Sequence, residues 1–204
     1  MIVIVDYGVG NLASIKNMLK KIGADAIISS VESDIISADK IILPGVGAFD
    51  TCATKLEKSG LIKALNKKII EEKTPVLGIC VGFQMLMESS EEGNEKGLGW
   101  VKGKVIRFRS ELLNGLKVPH MGWTDVVLKK PSALFENMFD EPRFYFVHSY
   151  HAQIDYASDA LLYADYGYPF VAAIERENVM GVQFHPEKSH KFGMKLLKNF
   201  VNNY

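Results

Sequence analysis

Cys80 stands in Thr74-Pro-Val-Leu-Gly-Ile-Cys-Val-Gly-Phe-Gln84, between Gly78 and Gly82, where an apolar run stops and a helical pattern begins. Gly-x-Cys-x-Gly is the thiol counterpart of the nucleophile elbow, in which a tight strand-to-helix turn flanked by small residues exposes the reactive atom. A helix expected over 82–88 turns its N-terminal amides and positive dipole end toward the sulfur and favours thiolate. The same residue also reads as a small buried hydrophobe, the common fate of a free cysteine. A nucleophilic thiol needs a base, and the base needs a group to orient it. Both types occur in Gly181-Val-Gln-Phe-His-Pro-Glu-Lys-Ser189. There His185 follows an apolar strand and can take the thiol proton, while Glu187, beyond Pro186, can hold the imidazole tautomer. Read alone, the stretch is equally a helix start with an acid in its first turn.

Thiolate attack on a carbonyl creates an oxyanion, which preorganised backbone N–H groups stabilise. Ile41-Ile-Leu-Pro-Gly-Val-Gly-Ala-Phe49 is a strand running into a glycine-rich turn at the same expected sheet edge. Its glycines free the backbone around Val46 and Gly47 to aim an amide at the site, with Val81 N–H as the second donor. The spacing is not Gly-x-Gly-x-x-Gly, so dinucleotide binding is set aside.

The elements that must position these groups alternate. Apolar runs at 2–5, 26–28, 41–43 and 76–79 are separated by segments of helical period, the pattern of a parallel α/β sheet. One helix runs through Ile15, Met18, Leu19 and Ile22, with Asn11 as its cap and Gly23 as its stop. Another carries Leu61, Leu65, Ile69 and Ile70 as its inward stripe. From about Lys102 the segments become short and β-branched or aromatic: 104–108, 124–128, 144–148, 160–163 and 171–175, then a strand at 179–184 and a closing helix at 189–202. The expected fold is one α/β domain over 1–204: an open, mostly parallel twisted sheet flanked by helices, with antiparallel strands added at its edge. Ligands bind such sheets beyond the carboxyl ends of the strands, where Cys80 would lie.

Composition narrows the classes. The 204 residues suffice for one core, and 24 basic against 24 acidic residues leave no electrostatic footprint for nucleic acid or an anionic membrane. No apolar run approaches the ~20 residues of a membrane span and Met1-Ile-Val-Ile-Val-Asp6 lacks a basic start, so a cytoplasmic location is expected. Two cysteines are too few for a disulfide framework or a thiolate zinc site, and neither a metal nor a cofactor is called for. Cys52 reads as packing on a helical stretch, and the acidic run 88–95 as a solvated face. His120, His148, His151 and His190 read as structural, interfacial or solvent-facing, with His148 the best secondary candidate for lining a pocket.

Pro44-Gly-Val-Gly-Ala-Phe49, Gly78-Ile-Cys-Val-Gly-Phe-Gln84 and Phe184-His-Pro-Glu-Lys-Ser189 together resemble the class I (triad) glutamine amidotransferases. Asp6-Tyr-Gly-Val-Gly-Asn-Leu12, Pro119-His-Met-Gly-Trp123 and Phe146-Val-His-Ser-Tyr-His151 extend the resemblance over the chain and bring it nearest to the HisH-type glutaminase subunits of imidazole glycerol phosphate synthase. The resemblance implies hydrolysis of L-glutamine to glutamate and ammonia by Cys80, His185 and Glu187 through a γ-glutamyl thioester. It implies substrate contacts from Gln84, Glu92, Ser149 and Tyr150. It also implies a heterodimer with a (β/α)₈-barrel cyclase of the HisF type, which uses the ammonia in histidine biosynthesis and docks near Asn11, Trp123, Tyr145 and Lys188. The resemblance further implies a glutaminase nearly idle alone, accounted for by an oxyanion turn whose amide points away until the partner with its substrate is bound, a flip that Gly-Val-Gly permits. After Gly122-Trp123 the family usually has Asn, and this chain has Thr124. Ammonia supply to a sugar amidotransferase of surface-glycan synthesis is the alternative partner; a cysteine peptidase or γ-glutamyl hydrolase is the alternative enzyme.

Overall fold

Apolar runs separated by amphipathic segments fold into alternating strands and helices, and a computed structural model describes all of residues 1–204. Strands β1 (Ile2–Val5), β2 (Ala26–Ser29), β3 (Lys40–Gly45) and β4 (Val76–Cys80) lie parallel in the order β2-β1-β3-β4. β1 and β4 are buried along their whole length, which is why they read as unbroken apolar runs. The connections carry α1 (Leu12–Lys21), α2 (Glu32–Ile36), α3 (Phe49–Lys58) and α4 (Ile62–Asn66). α1 turns Ile15 and Leu19 inward, and Gly23 follows it at φ +80°, the left-handed conformation that ends a helix. Asn11 precedes α1 without making a side-chain capping bond, a correction to the expected cap.

The stripe of Leu61, Leu65, Ile69 and Ile70 also needs correction. α4 passes into a π turn over Lys67–Glu71, and the wider turn breaks the 3.6-residue period. Leu61, Leu65 and Ile69 stay buried while Ile70 is 47% exposed.

Beyond β4 come α5 (Val81–Gln84), β5 (Ser89–Ser90), β6 (Gly103–Arg107), β7 (His120–Leu128), β8 (Arg143–His148), β9 (Tyr150–Ile154), β10 (Ala160–Asp165), β11 (Pro169–Arg176), β12 (Val179–Val182) and α6 (His190–Asn203). β12 returns to lie parallel beside β4, and β11, β10, β7 and β8 continue the sheet antiparallel. β9 lies outside the segments expected from the sequence; it pairs with β6 and touches β11. That pairing depends on Gly103, where a Cβ would stand 2.4 Å from the Gln153 carbonyl oxygen. One cluster of 57 buried apolar residues spans both halves. Phe144 of β8 stacks on Phe184 at 3.9 Å, tying the antiparallel extension to the segment that leads into His185. No helix is long and apolar enough to cross a membrane.

Candidate active site

β4 runs without a break into α5, and Cys80 occupies the junction at φ 56°, ψ −112°. A side chain held there carries about 1–3 kcal/mol of strain, sustained only if the surroundings leave no alternative. They leave none: a Cβ on Gly82 would stand 2.0 Å from the Leu43 carbonyl oxygen, and one on Gly45 would stand 2.5 Å from Gly82 N. β3 and the elbow therefore meet backbone to backbone. The helix that follows is shorter than the expected 82–88 segment. The carbonyls of Met85, Leu86, Met87 and Glu88 accept from Leu98, Val101, Gly99 and Gly97, so tertiary bonds replace the helical ladder after one turn. Only the first-turn amides remain to face the sulfur.

β12 and β4 are parallel neighbours, with Val182 opposite Ile79, so His185 and Cys80 emerge at the same sheet edge. Pro186 opens a single 3₁₀ turn, Pro186–Lys188, that folds Glu187 back onto the imidazole. His185 Nδ1 lies 2.9 Å from Glu187 Oε1, with the two side chains only 6% and 1% exposed. Burial alone would lower the His185 pKa, but hydrogen bonds to Cys80 and Glu187 outweigh it and hold the value at about 10. The backbone is clamped as well. His185 N–H donates to Tyr145 O at 2.9 Å, Tyr145 N–H donates to Ser189 Oγ at 3.0 Å, and Ser189 Oγ–H donates to His185 O at 2.6 Å.

Val46 and Gly47 follow β3 and face the same edge. Gly47 has φ +92° and open space where a Cβ would sit, so the turn is conformationally rather than sterically dependent on glycine. Cys52, expected only to pack, also donates its thiol proton to Val46 O at 3.5 Å, and burial pushes that thiol up to about 11. Across a trans peptide plane the N–H of Gly47 points opposite to the Val46 carbonyl, away from Cys52. Behind the turn, the buried Tyr7 hydroxyl donates to Pro44 O.

Val46, Gly47, Cys80, Val81 and His185 share one cleft of about 400 Å³ with Gln84, Glu92, Ser149 and Tyr150. Gln84 is 3% exposed, and its Nε2 donates to Tyr150 O at 3.0 Å and Gln183 Oε1 at 3.1 Å. Glu92 is not merely solvated: its Oε2 accepts from Phe49 N–H at 2.9 Å, at the start of α3. Asp50 accepts from Asn94 and Glu95 N–H, each at 3.0 Å, while Glu88, Glu91 and Glu95 stay exposed, as a solvated face requires. Sequence reasoning missed Gln183, fully buried with Nε2 4.0 Å from Cys80 Sγ. Its signal was available, an amide inside an otherwise apolar strand.

Trp123 is 43% exposed and so lies on the surface, not in the core. It faces Tyr145 across the β7–β8 register at 6.2 Å and stacks on His190 at 5.5 Å, while Lys188 Nζ lies 5.8 Å over the Tyr145 ring. Lys188 also lines the cleft, so this aromatic and cationic patch adjoins the Cys80 pocket. Asn11 is half-buried at the start of α1, which packs against the 186–188 turn.

A family model described as glutamine amidotransferase class-I matches residues 3–204. The imidazole glycerol phosphate synthase subunit HisH 2 of Methanococcus maripaludis is 51% identical over 201 residues, 98% of each chain. The HisH 2 subunit of Pseudomonas aeruginosa shows the same identity and coverage, and the HisH subunit of Leptospira interrogans is 46% identical over 99% of this chain and 100% of its own. Among solved structures, a glutamine amidotransferase superposes with a TM-score of 0.73 at 20% identity, covering 98% of this chain and 96% of that one. The PurLQS structure from Thermotoga maritima gives 0.72 at 20% identity, over 99% and 97%.

Proposed function

We propose, from the premise that this chain belongs to the class-I glutamine amidotransferase family, that it is a single-domain glutaminase subunit supplying ammonia for imidazole glycerol phosphate synthesis in the cytoplasm. The observation that carries the chemistry is the strained Cys80 elbow beside the buried His185–Glu187 pair, on adjacent parallel strand ends.

In this reading the thiolate of Cys80 attacks the side-chain amide carbon of L-glutamine and the carbonyl π electrons move onto oxygen. Val81 N–H and an amide of the Val46–Gly47 turn stabilise that oxyanion. His185 protonates the nitrogen as the C–N bond breaks; ammonia leaves, and a γ-glutamyl thioester remains on Cys80. The neutral imidazole then takes a proton from water, the hydroxide attacks the thioester, and glutamate departs as the thiolate is restored. Glu187 keeps the His185 proton on Nδ1 between these steps, so that Nε2 faces the reacting atoms. Gln84, Glu92, Ser149 and Tyr150 supply hydrogen-bonding groups for the amino and carboxylate end of the substrate.

Free ammonia is protonated and lost in water, so the product calls for a covered site and an acceptor enzyme. The exposed Trp123, with Tyr145, Lys188 and Asn11, is the proposed seat for a (β/α)₈-barrel cyclase of the HisF type in a heterodimer. The test is ammonia release from glutamine by the chain alone and with that cyclase and its ribonucleotide substrate, with Cys80→Ala as the blank. Stimulation that vanishes in the blank supports the reading; absence of both complex and stimulation removes the cyclase from it.

A further inference from the structure

A chain of hydrogen bonds leads away from the cleft along atoms that the proposed reaction does not use. Tyr150 O, which accepts from Gln84, also lies 2.8 Å from His148 Nδ1. His148 Nε2 lies 3.0 Å from His120 Nδ1, because the two histidines face each other across the β7–β8 register. His120 Nε2 in turn lies 2.8 Å from Thr124 Oγ1, half-buried beside the exposed Trp123. At the inner end, Gln84 is bonded to Gln183, whose amide reaches Cys80 Sγ.

The proton positions follow from the inner end. A carbonyl only accepts, so His148 carries its proton on Nδ1 and presents a bare Nε2. His120 must then donate from Nδ1, which leaves its Nε2 bare, and Thr124 must donate to it. The surroundings keep both rings uncharged. His120 is stacked between Phe146 at 5.0 Å and Tyr166 at 4.1 Å, and His148 packs on Phe108 and Phe170. Burial pulls His120 down to about 4 and His148 well below the ordinary imidazole value.

We propose that Thr124, His120 and His148 are positioning residues for the glutamine cleft: locked in one tautomer, they hold the Tyr150 carbonyl, and through it the Gln84–Gln183 bridge behind Cys80, in register with the middle of β7 beside Trp123. The inference rests on the glutaminase reading. Without the Thr124 hydroxyl, His120 Nε2 has no donor. Moving the ring proton to Nε2 gains no partner, since valine offers no acceptor, and it sets two bare nitrogens against each other between His120 and His148; the ring therefore keeps Nδ1–H and loses the bond that fixes its outer edge.

The test uses the full chain, its Thr124→Val and Thr124→Ser variants, and two readouts. Ring-nitrogen NMR separates protonated from bare nitrogens, and labelling of Cys80 by a chloroketone analogue of glutamine, referenced to iodoacetamide, reports how well the cleft presents its substrate. The expected result is Nδ1–H on both histidines in the wild type. In Thr124→Val, His120 keeps Nδ1–H while its Nε2 signal moves to that of a bare nitrogen with no donor, labelling is roughly three- to tenfold slower, the scale of one buried hydrogen bond, and Thr124→Ser restores both. A wild-type His120 or His148 protonated on Nε2, or a Thr124→Val chain labelled at the wild-type rate, overturns the proposal alone. A wild-type Cys80 that takes iodoacetamide but ignores the analogue overturns the glutaminase reading, and the positioning role with it.

Discussion

His185 Nδ1 and Glu187 Oε1 lie 2.9 Å apart although only one proline separates the two residues, and the turn that joins them buries both side chains. The bond has a kinetic consequence. Against the lowering effect of burial, Cys80 and Glu187 hold the His185 pKa at about 10. An acid that must protonate departing ammonia works only while it carries its proton, so kcat/KM, which reports the free protein, falls as pH rises through that value. Glu187→Gln keeps the shape and removes the charge. It is expected to move this basic limb to lower pH and to reduce kcat by about 10²- to 10⁴-fold, measured as pH–rate profiles of the two proteins.

Stability follows pH in two opposite windows. The folded chain holds the His185 proton to about 10 against an ordinary 6.5, so its contribution is complete below pH 6.5 and is lost as pH rises toward 10. Cys80→Ala removes one of the two partners that raise this pKa and shifts the loss to lower pH. His120 works the other way. Held at about 4, it contributes fully above pH 6.5 and loses that contribution as pH falls toward 4. Urea midpoints across this range should show both limbs, the acid one flattened in His120→Gln.

Two glycines beside the site should fail differently. Gly82→Ala sets its Cβ 2.0 Å from the Leu43 carbonyl oxygen, and the backbone cannot yield without separating β3 from the elbow. A loss of about 2–4 kcal/mol is expected, visible in thermal melts. Gly47→Ala meets no atom within 4 Å but must keep φ +92°, at about 1–2 kcal/mol. Its melting temperature should fall less than that of Gly82→Ala while its glutaminase activity falls with the displaced oxyanion donor.

Trp123→Ala should leave the fold and the isolated chain's labelling by the glutamine analogue unchanged, since the ring is 43% exposed and its neighbours Tyr145 and His190 remain. Loss of an aromatic anchor costs an interface about 2 kcal/mol, a roughly 30-fold rise in Kd. Calorimetric titration with the HisF-type cyclase measures it.

The parallel core was legible because strands buried on both faces write continuous apolar runs, as in β1 and β4. The elbow was legible because backbone crowding at Gly78 and Gly82 admits no side chain, a demand that shows in the sequence itself. What escaped was set by distant partners. The strand Tyr150–Ile154 owes its pairing to Gly103, the early end of α5 to four amides contributed by 97–101, and the second role of Glu92 to the first-turn amide of Phe49, which has no partner within its own helix. The exposure of Ile70 came from a π turn that the apolar spacing does not encode. Gln183 and the His120–His148 pair stand out as polar residues in apolar stretches, but their partners lie on other elements whose placement the sequence does not reveal.

If Cys80 carries the acyl group, a wild-type chain quenched with acid during glutamine turnover holds a γ-glutamyl increment on the peptide that contains Cys80, absent without glutamine and absent in Cys80→Ala, and weighing the peptides reads it. Ammonia released with no such adduct, by a Cys80→Ala chain as fast as by the wild type, would remove Cys80 from the reaction.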